Sequence, residues 1–185
     1  AVLRRCRDKR VSRWTPPEPY APPAPMPPAA IRPIVVGAGP AGLFAALILA
    51  RAGQKPILLE RGRPVEQRQK DVEEFFRTGH LDPRSNVQFG EGGAGAFSDG
   101  KLNTGTRDIR HRFILEELAA CGAPRDILVD AKPHVGTDYL HIALRNLRRE
   151  LIALGTDVRF QHRLTDIRIE DGTIAAVTVE GPQGT

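Results

Sequence analysis

Cysteine is scarce in this 185-residue sequence: only Cys6 and Cys121 occur, and they form no CxxC or metal-type spacing. That scarcity argues against a disulfide scaffold and against a zinc site, and it points to a reducing, cytoplasmic compartment. Long apolar runs are missing as well. The longest, Leu43–Ala50, reads "LFAALILA" and falls far short of the roughly 20 residues that span a bilayer. No secretory leader is legible, because the opening "AVLRRCRDKR" is basic but has no apolar stretch and no small-residue cleavage site. The first residue is not methionine, so the N-terminus is expected to be processed or cut. Neither a Ser-His-Asp arrangement nor a P-loop lysine pattern is present. Excess charge of one sign is small, +5 overall, and six of the 27 basic residues crowd into Arg4–Arg13. A patch confined to a terminal segment reads as a solvated tail, so nucleic acid is not the expected partner. With 41% hydrophobic and 26% charged residues, the rest has the profile of a soluble globular protein. Its length suits one good core, or one domain plus appendages.

Nine of the sixteen prolines fall in "PPEPYAPPAPMPPAAIRP", residues 16–33. Proline fixes φ and removes amide donors, so residues 16–32 are predicted to form an extended, semi-rigid linker. A docking site for a proline-binding module is the other reading. Residues 1–15 are then expected to be the remnant of an N-terminal domain, and residues 33–185 the N-terminal part of a nucleotide-binding domain. Past the linker the pattern alternates. "PIVV" (33–36) reads as a short strand, Leu43 to Ala52 as a helix covered on most sides and ended by Gly53, and "PILLE" (56–60) as a second buried strand. This is a β-α-β unit, with parallel strands and a right-handed crossover. A polar helix is predicted over Val65–Arg77, with Val72, Phe75 and Phe76 as its apolar stripe. Further helices are predicted near Asp108–Cys121 and over about Tyr139–Leu154, where Leu140, Leu144, Leu147 and Leu151 share a face. "DVRF…LTDIRIEDGTIAAVTVE" alternates with period two, and Asp171-Gly172 marks a hairpin turn.

The chemistry-bearing signal is "IVVGAGPAGLFAALILARAGQKPILLE". It carries Gly37, Gly39 and Gly42 in G-x-G-x-x-G spacing, after one strand, at the start of a helix and ahead of a second strand that ends in an acid. Gly37 permits the tight turn, Gly39 lets backbone approach a pyrophosphate, and Gly42 lets the helix pack on the strand. Pro40 suits the first helical turn, where its missing amide hydrogen is no loss. The free amides at that helix end, in the segment Gly37–Gly42 that includes Ala38 and Ala41, would face the phosphate with the helix dipole behind them. Glu60 would accept from the ribose hydroxyls, which favours FAD or NAD over NADP, although Arg61 and Arg63 just after it weaken that exclusion. The competing account is a glycine-rich turn in a plain β-α-β unit.

A second glycine cluster, "RSNVQFGEGGAGAFSDGKLNTG" (84–105), interleaves glycine with Glu91, Ser98, Asp99, Lys101 and Asn103. Backbone folded tightly around a ligand suits that mixture better than a floppy surface loop does. "GAGPAG", Glu60-Arg61, "NVQFGEGGAGAFSDGKL" and "AKPHVGTDYL" (131–140) together resemble the bacterial FAD-dependent dehydrogenases of the two-dinucleotide-binding-domain flavoprotein superfamily, and the "RRCRDKR" stretch resembles the end of the N-terminal domain such proteins carry. The resemblance implies FAD bound extended, its pyrophosphate on Gly37–Gly42 and its ribose at Glu60-Arg61. It places Gly92, Gly93, Ala94 and Gly95 along the flavin's inner half, and Leu164 at the adenine. It also implies a late Gly-Asp segment and a second domain for substrate or NAD(P)H, neither of which this sequence contains, so the chain is expected to be a truncated, incomplete piece.

The fold class is thus expected to be α/β: a Rossmann-like FAD-binding domain with a parallel sheet and an antiparallel β excursion. The expected function is an FAD-dependent oxidoreductase (dehydrogenase) with hydride transfer through the flavin, NAD(P)H as electron donor or acceptor, and an undetermined small-molecule substrate or redox partner. Two alternatives stay open, an NAD-binding dehydrogenase domain and a non-catalytic nucleotide-binding or tRNA-modification-associated module. Flavin chemistry resides in the cofactor, so the chain need not hold a catalytic residue. His134, near a helix start that Thr137 or Asp138 would cap, could act as acid or base, or could simply hydrogen-bond its loop. Lys101 could place charge at the flavin's N1–C2 edge, or could only neutralise Asp99. His80, His111, His141 and His162 read as solvated.

Overall fold

The computed structural model of the protein describes residues 8, 11, 18–102, 108–130 and 132–184. Apart from Asp8 and Val11, the stretch expected to be an N-terminal remnant therefore lies outside the described residues.

Strand β1 (Ile34–Val36) leads through the glycine turn into helix α1 (Pro40–Arg51), which returns the chain to β2 (Ile57–Glu60). Strands β1 and β2 pair parallel, Ile34 opposite Ile57, as two short apolar runs joined by a helix require. Helix α2 (Val65–Thr78), a 3-10 turn at Ala94–Phe97, α3 (Arg110–Ala120), a second 3-10 turn at Arg125–Leu128 and α4 (Thr137–Ala153) then fill the connection to β3 (Asp157–Phe160). Strand β3 joins the far side of β2, also parallel, so the sheet order is β1-β2-β3. Strands β4 (Arg163–Glu170) and β5 (Thr173–Glu180) form a separate antiparallel hairpin. Its two-residue turn holds Asp171 at φ 49° and Gly172 at φ 74°, the twist that a hairpin with right-handed strands accepts.

The core lies between the sheet and the helices. Leu43, Leu47 and Ala50 of α1 meet Leu58 of β2 and Leu144, Leu147 and Leu151 of α4, with Ile127 closing one end. The face predicted for α4 is the buried one. On α2 the structure corrects the sequence reading: Phe76 is 75% exposed, and the buried face is Val65, Arg68 and Val72. The i, i+3, i+7 spacing therefore runs through an arginine, not through Phe76. A side-chain cap on α4 is likewise corrected. Gly136 holds the N-cap position and neither Thr137 nor Asp138 caps the helix.

The proline-rich stretch lies against the domain. Met26 N donates to Ala52 O (3.0 Å), and the Gln54 carboxamide accepts from Ala29 N (2.9 Å) and donates to Pro27 O (3.1 Å). Arg32 reaches across to the carbonyls of Lys55, Pro56 and Gly155. Among the described residues no helix is long and apolar enough to cross a membrane.

Candidate functional site

The first glycine turn is assembled by backbone and braced by one carboxylate. Gly37, at φ +95°, donates its amide to Leu59 O (2.7 Å), tying the turn to β2. Glu60 is 5% exposed, and its two oxygens accept from Ala38 N (2.7 Å) and Gly62 N (2.8 Å). A Cβ on Gly42 would stand 1.8 Å from Gly37 O and 3.5 Å from Val35 Cγ1, so only glycine lets α1 start this close to β1. Gly39 is different. It sits at φ −74° as the N-cap of α1, and a Cβ there would meet nothing within 4 Å. Its lack of a side chain leaves open space at the N-cap of α1, whose first-turn amides precede the first intrahelical bond, Leu43 N to Gly39 O (3.0 Å). Pro40 occupies the first helical position, no cap side chain competes for the amides, and no acidic residue stands in the first turn. Such a helix start attracts an anion.

The second glycine cluster closes onto the first. Gly92 N donates to Ala38 O (2.7 Å), and a Cβ on Gly93 would lie 3.4 Å from Gly39 Cα and from Pro40 Cδ. Together the two clusters line a cavity of about 400 Å³ whose wall includes Gly37, Gly39, Glu60, Arg61, Gly93 and Leu164. The backbone stretches Gln88–Gly90 and His162–Arg163 complete it. Of the residues expected at a cofactor, Ala38 and Gly92 join the two turns, and Pro40, Ala41 and Gly42 open α1. Ala94 and Gly95, both exposed, begin a 3-10 turn outside the cavity wall.

A residue the sequence reading passed over organises the second cluster. Arg68 is fully buried, and its guanidinium donates to five carbonyls, those of Asn86, Val87, Gly90, Glu91 and Gly93, while lying 4.5 Å from the centre of the Phe97 ring. Burial pulls its pKa down to about 10, against the opposing pull of Glu60 and Glu91. The signal that could have found it is an arginine at an apolar-face position of α2. Much of the bare backbone is used in this internal packing. A Cβ on Gly90 would come within 2.4 Å of Arg68 Cδ, and one on Gly92 within 2.5 Å of Leu144 Cδ1.

Glu91 sits beneath the same loop, fully buried. One oxygen accepts from Val65 N (2.8 Å) and from Arg148 Nη1 (2.7 Å), while Oε1 has no partner among the described residues. Burial pushes its carboxyl up to about 7, although the Val65 amide and Arg148 pull the other way.

The two proton-transfer candidates come together by backbone. Lys101 and His134 form an antiparallel bridge, supported by Val135 N to Gly100 O (2.9 Å) and Leu102 N to Pro133 O (3.0 Å). Both side chains are exposed, and neither lines the cavity. Lys101 Nζ pairs with Asp99 Oδ2 at 2.6 Å, which raises the lysine's pKa and lowers the acid's. Asn103, expected to belong to the polar set, lies outside the described residues. Two histidines read as solvated are engaged instead. His141 Nε2 meets Ala96 O (2.7 Å), and His162, whose Nδ1 meets Phe160 O (2.7 Å), lies on the cavity wall.

Residues 31–185 match the family model described as FAD binding domain. An uncharacterised protein of Clostridium beijerinckii (strain ATCC 51743 / NCIMB 8052) is 53% identical over 150 residues, covering 81% of this chain, and the chain spans 28% of that relative's length. Among solved structures, one from a study of BexE and oxidation during BE-7585A biosynthesis is similar at 25% identity. It covers 82% of this chain and 28% of its own, with a TM-score of 0.42. The myxobacterial chondrochloren halogenase CndH, described as a variant of FAD-dependent halogenases, is 20% identical, covering 83% of this chain and 34% of its own, with a TM-score of 0.46.

Proposed function

This chain belongs to the FAD binding domain family, and from that membership we propose that it grips FAD in the cavity between the two glycine clusters and serves an FAD-dependent oxidoreductase of the dehydrogenase kind. The family makes FAD the cofactor and removes the NAD-binding alternative. The observation that carries the site assignment is the open space at Gly39, the N-cap of α1, with Gly93 across from it. A dinucleotide fits this donor set: the α1 amides hold the pyrophosphate, Glu60 the ribose, and the backbone at Leu164 the adenine. Glu60 already accepts two amides, and each carboxylate oxygen keeps a further lone pair for a hydroxyl.

When bound, FAD supplies hydride-transfer chemistry at its isoalloxazine ring. The chain's own residues bind and orient. Arg68 holds the carbonyls of the second cluster inward, which fixes where its glycine backbone meets the cofactor. Neither Lys101 nor His134 is assigned a step, and the substrate and the electron partner, NAD(P)H among them, are left to the chemistry of the full protein. The non-catalytic, nucleic-acid alternative rests on Arg4–Arg13, which falls almost wholly outside the described residues.

Gly39→Val tests the site. Its φ and its empty surroundings accept a side chain without strain, so the variant is expected to fold, at the cost of about 1 kcal/mol for a poorer N-cap. The full-length variant should be purified colourless, with FAD affinity down by at least about a hundredfold, roughly 2.7 kcal/mol. A variant as yellow as the parent protein ends the assignment.

A further inference from the structure

Beyond Glu60 a second cavity, of about 340 Å³, opens on the other side of Arg61. Its wall carries Arg61, Arg84, Arg163, Gln161, Glu180 and the Gly181–Gly184 turn, and it shares Arg61 and Arg163 with the nucleotide cavity. Three arginines thus share the wall with one carboxylate, and that carboxylate is paired with one of them: Glu180 Oε2 accepts from Arg163 Nη2 at 2.9 Å, which leaves Arg61 and Arg84 with no acidic partner among the described residues. Arg61 is preset, its guanidinium 3.9 Å from the centre of the Phe89 ring and its Nη2 donating to Pro83 O (3.0 Å), while Nε has no partner among the described residues. Arg84 is held only by its backbone, whose amide donates to Asp82 Oδ1 (2.8 Å). Its guanidinium has no partner among the described residues. Like charges gathered around a hollow repel one another unless an anion fills it. Arginine forks fit phosphate oxygens in particular.

We propose that this cavity is an anion subsite that takes a phosphate monoester, separate from FAD and adjoining its adenosine end. FAD has no phosphate to offer there. The chemistry is that of a 2′-phosphate on a pyridine dinucleotide donor or of a free phosphate ester. The placement beside adenosine rests on the FAD reading and deepens it by naming what a second ligand must carry. The subsite itself rests on the arginines alone. A bare phosphate would leave much of the hollow empty, so the geometry favours an ester whose organic part lies along Gln161 and the Gly181–Gly184 turn.

The test titrates the FAD-loaded, full-length protein by calorimetry at low salt with inorganic phosphate, adenosine and adenosine 2′,5′-bisphosphate. The bisphosphate is expected to bind at least about tenfold more tightly than adenosine, with FAD retained. Arg84→Glu should erase that difference and leave the flavin spectrum unchanged. Because Arg84 is exposed and outside the nucleotide cavity, Arg84→Glu and the milder Arg84→Ala are both expected to fold. Arg84-dependent binding of inorganic phosphate that then blocks the bisphosphate also supports the subsite, and identifies a free phosphate ester as its occupant. The proposal falls if none of the three probes binds, if Arg84→Glu binds them as the parent does, or if the bisphosphate enters only by displacing FAD. A full-length protein that takes up no FAD yet binds phosphate through Arg84 would overturn the FAD reading and leave the subsite standing.

Discussion

Glu91 shows how one buried oxygen can govern a pH response. Its carboxylate is desolvated beneath the second glycine cluster, with the Val65 amide and Arg148 on one oxygen and nothing on the other. Desolvation outweighs those two donors, aided by the nearby carboxylates of Glu66 and Glu60, so the group titrates at about 7 against an ordinary 4.5. The folded protein therefore holds this proton more tightly than the unfolded chain does. Its stabilising contribution is complete below the ordinary value and is lost as pH rises through about 7. Over that window the loss is on the order of 3 kcal/mol. Glu91→Gln keeps an acceptor for the Val65 amide and cannot titrate, so its denaturation midpoint should change less between pH 5 and pH 8 than the parent's. Parallel pH curves for the two proteins would show that Arg148 keeps Glu91 charged throughout.

At the scale of the element, the second glycine cluster is a loop wound around an arginine. Helix α2 delivers Arg68 from the position where its apolar stripe would otherwise continue. The loop turns five carbonyls toward it, and Gly90 lacks a Cβ where the arginine stem passes. A lysine carries the same charge but not the planar fork, and cannot serve carbonyls spread around a guanidinium. Arg68→Lys is expected to cost about 2–3 kcal/mol in denaturant unfolding, as buried acceptors lose their partner. It should also weaken FAD binding at least about tenfold, because Gly93 would no longer be fixed opposite Gly39. Full flavin affinity with unchanged stability would mean that the loop holds its shape without Arg68. The composition of 84–105 made it legible that this backbone is tightly folded. Its partner was hidden, because nothing local in a glycine-rich loop says that it folds around a side chain from α2. The β-α-β unit was legible for the opposite reason: the steric need at Gly37 and Gly42 arises within a few residues of sequence, where spacing records it. The apolar stripe of α2 failed at Phe76, which is exposed beside a half-buried Phe75, and Arg68, not Phe76, continues the i, i+3 spacing from Val65.

Across the whole molecule, α1 is supported at both ends. Its N-cap Gly39 lines the cavity proposed for FAD, and its C-terminal turn is tied to the proline-rich stretch through Met26 N to Ala52 O and the Gln54 carboxamide. Farther back on that stretch, Tyr20 meets the Phe113 ring of α3 edge-on at 5.3 Å between centroids, and Phe113 in turn meets Phe44 of α1 at 6.4 Å. Nine prolines in residues 16–33 made an extended stretch legible, but an extended chain has no periodic face, so the surface it lies on could not be read. Prolines have no amide hydrogen to contribute, and the few remaining amides and carbonyls must carry the attachment. Gln54 serves several of them at once, accepting from Ala29 N and donating to Pro27 O (3.1 Å) and Ala52 O (3.3 Å). Gln54→Ala strips those bonds from a half-wet seam, and about 1–2 kcal/mol of stability should go with them. Because the seam lies at the far end of α1 from the cavity proposed for FAD, FAD affinity should hold while residues 18–32 become far more susceptible to limited proteolysis. Cleavage at the parent's rate would place the attachment with Arg32 and Tyr20 instead, and a parallel loss of FAD would mean that strain at Gln54 travels the length of the helix.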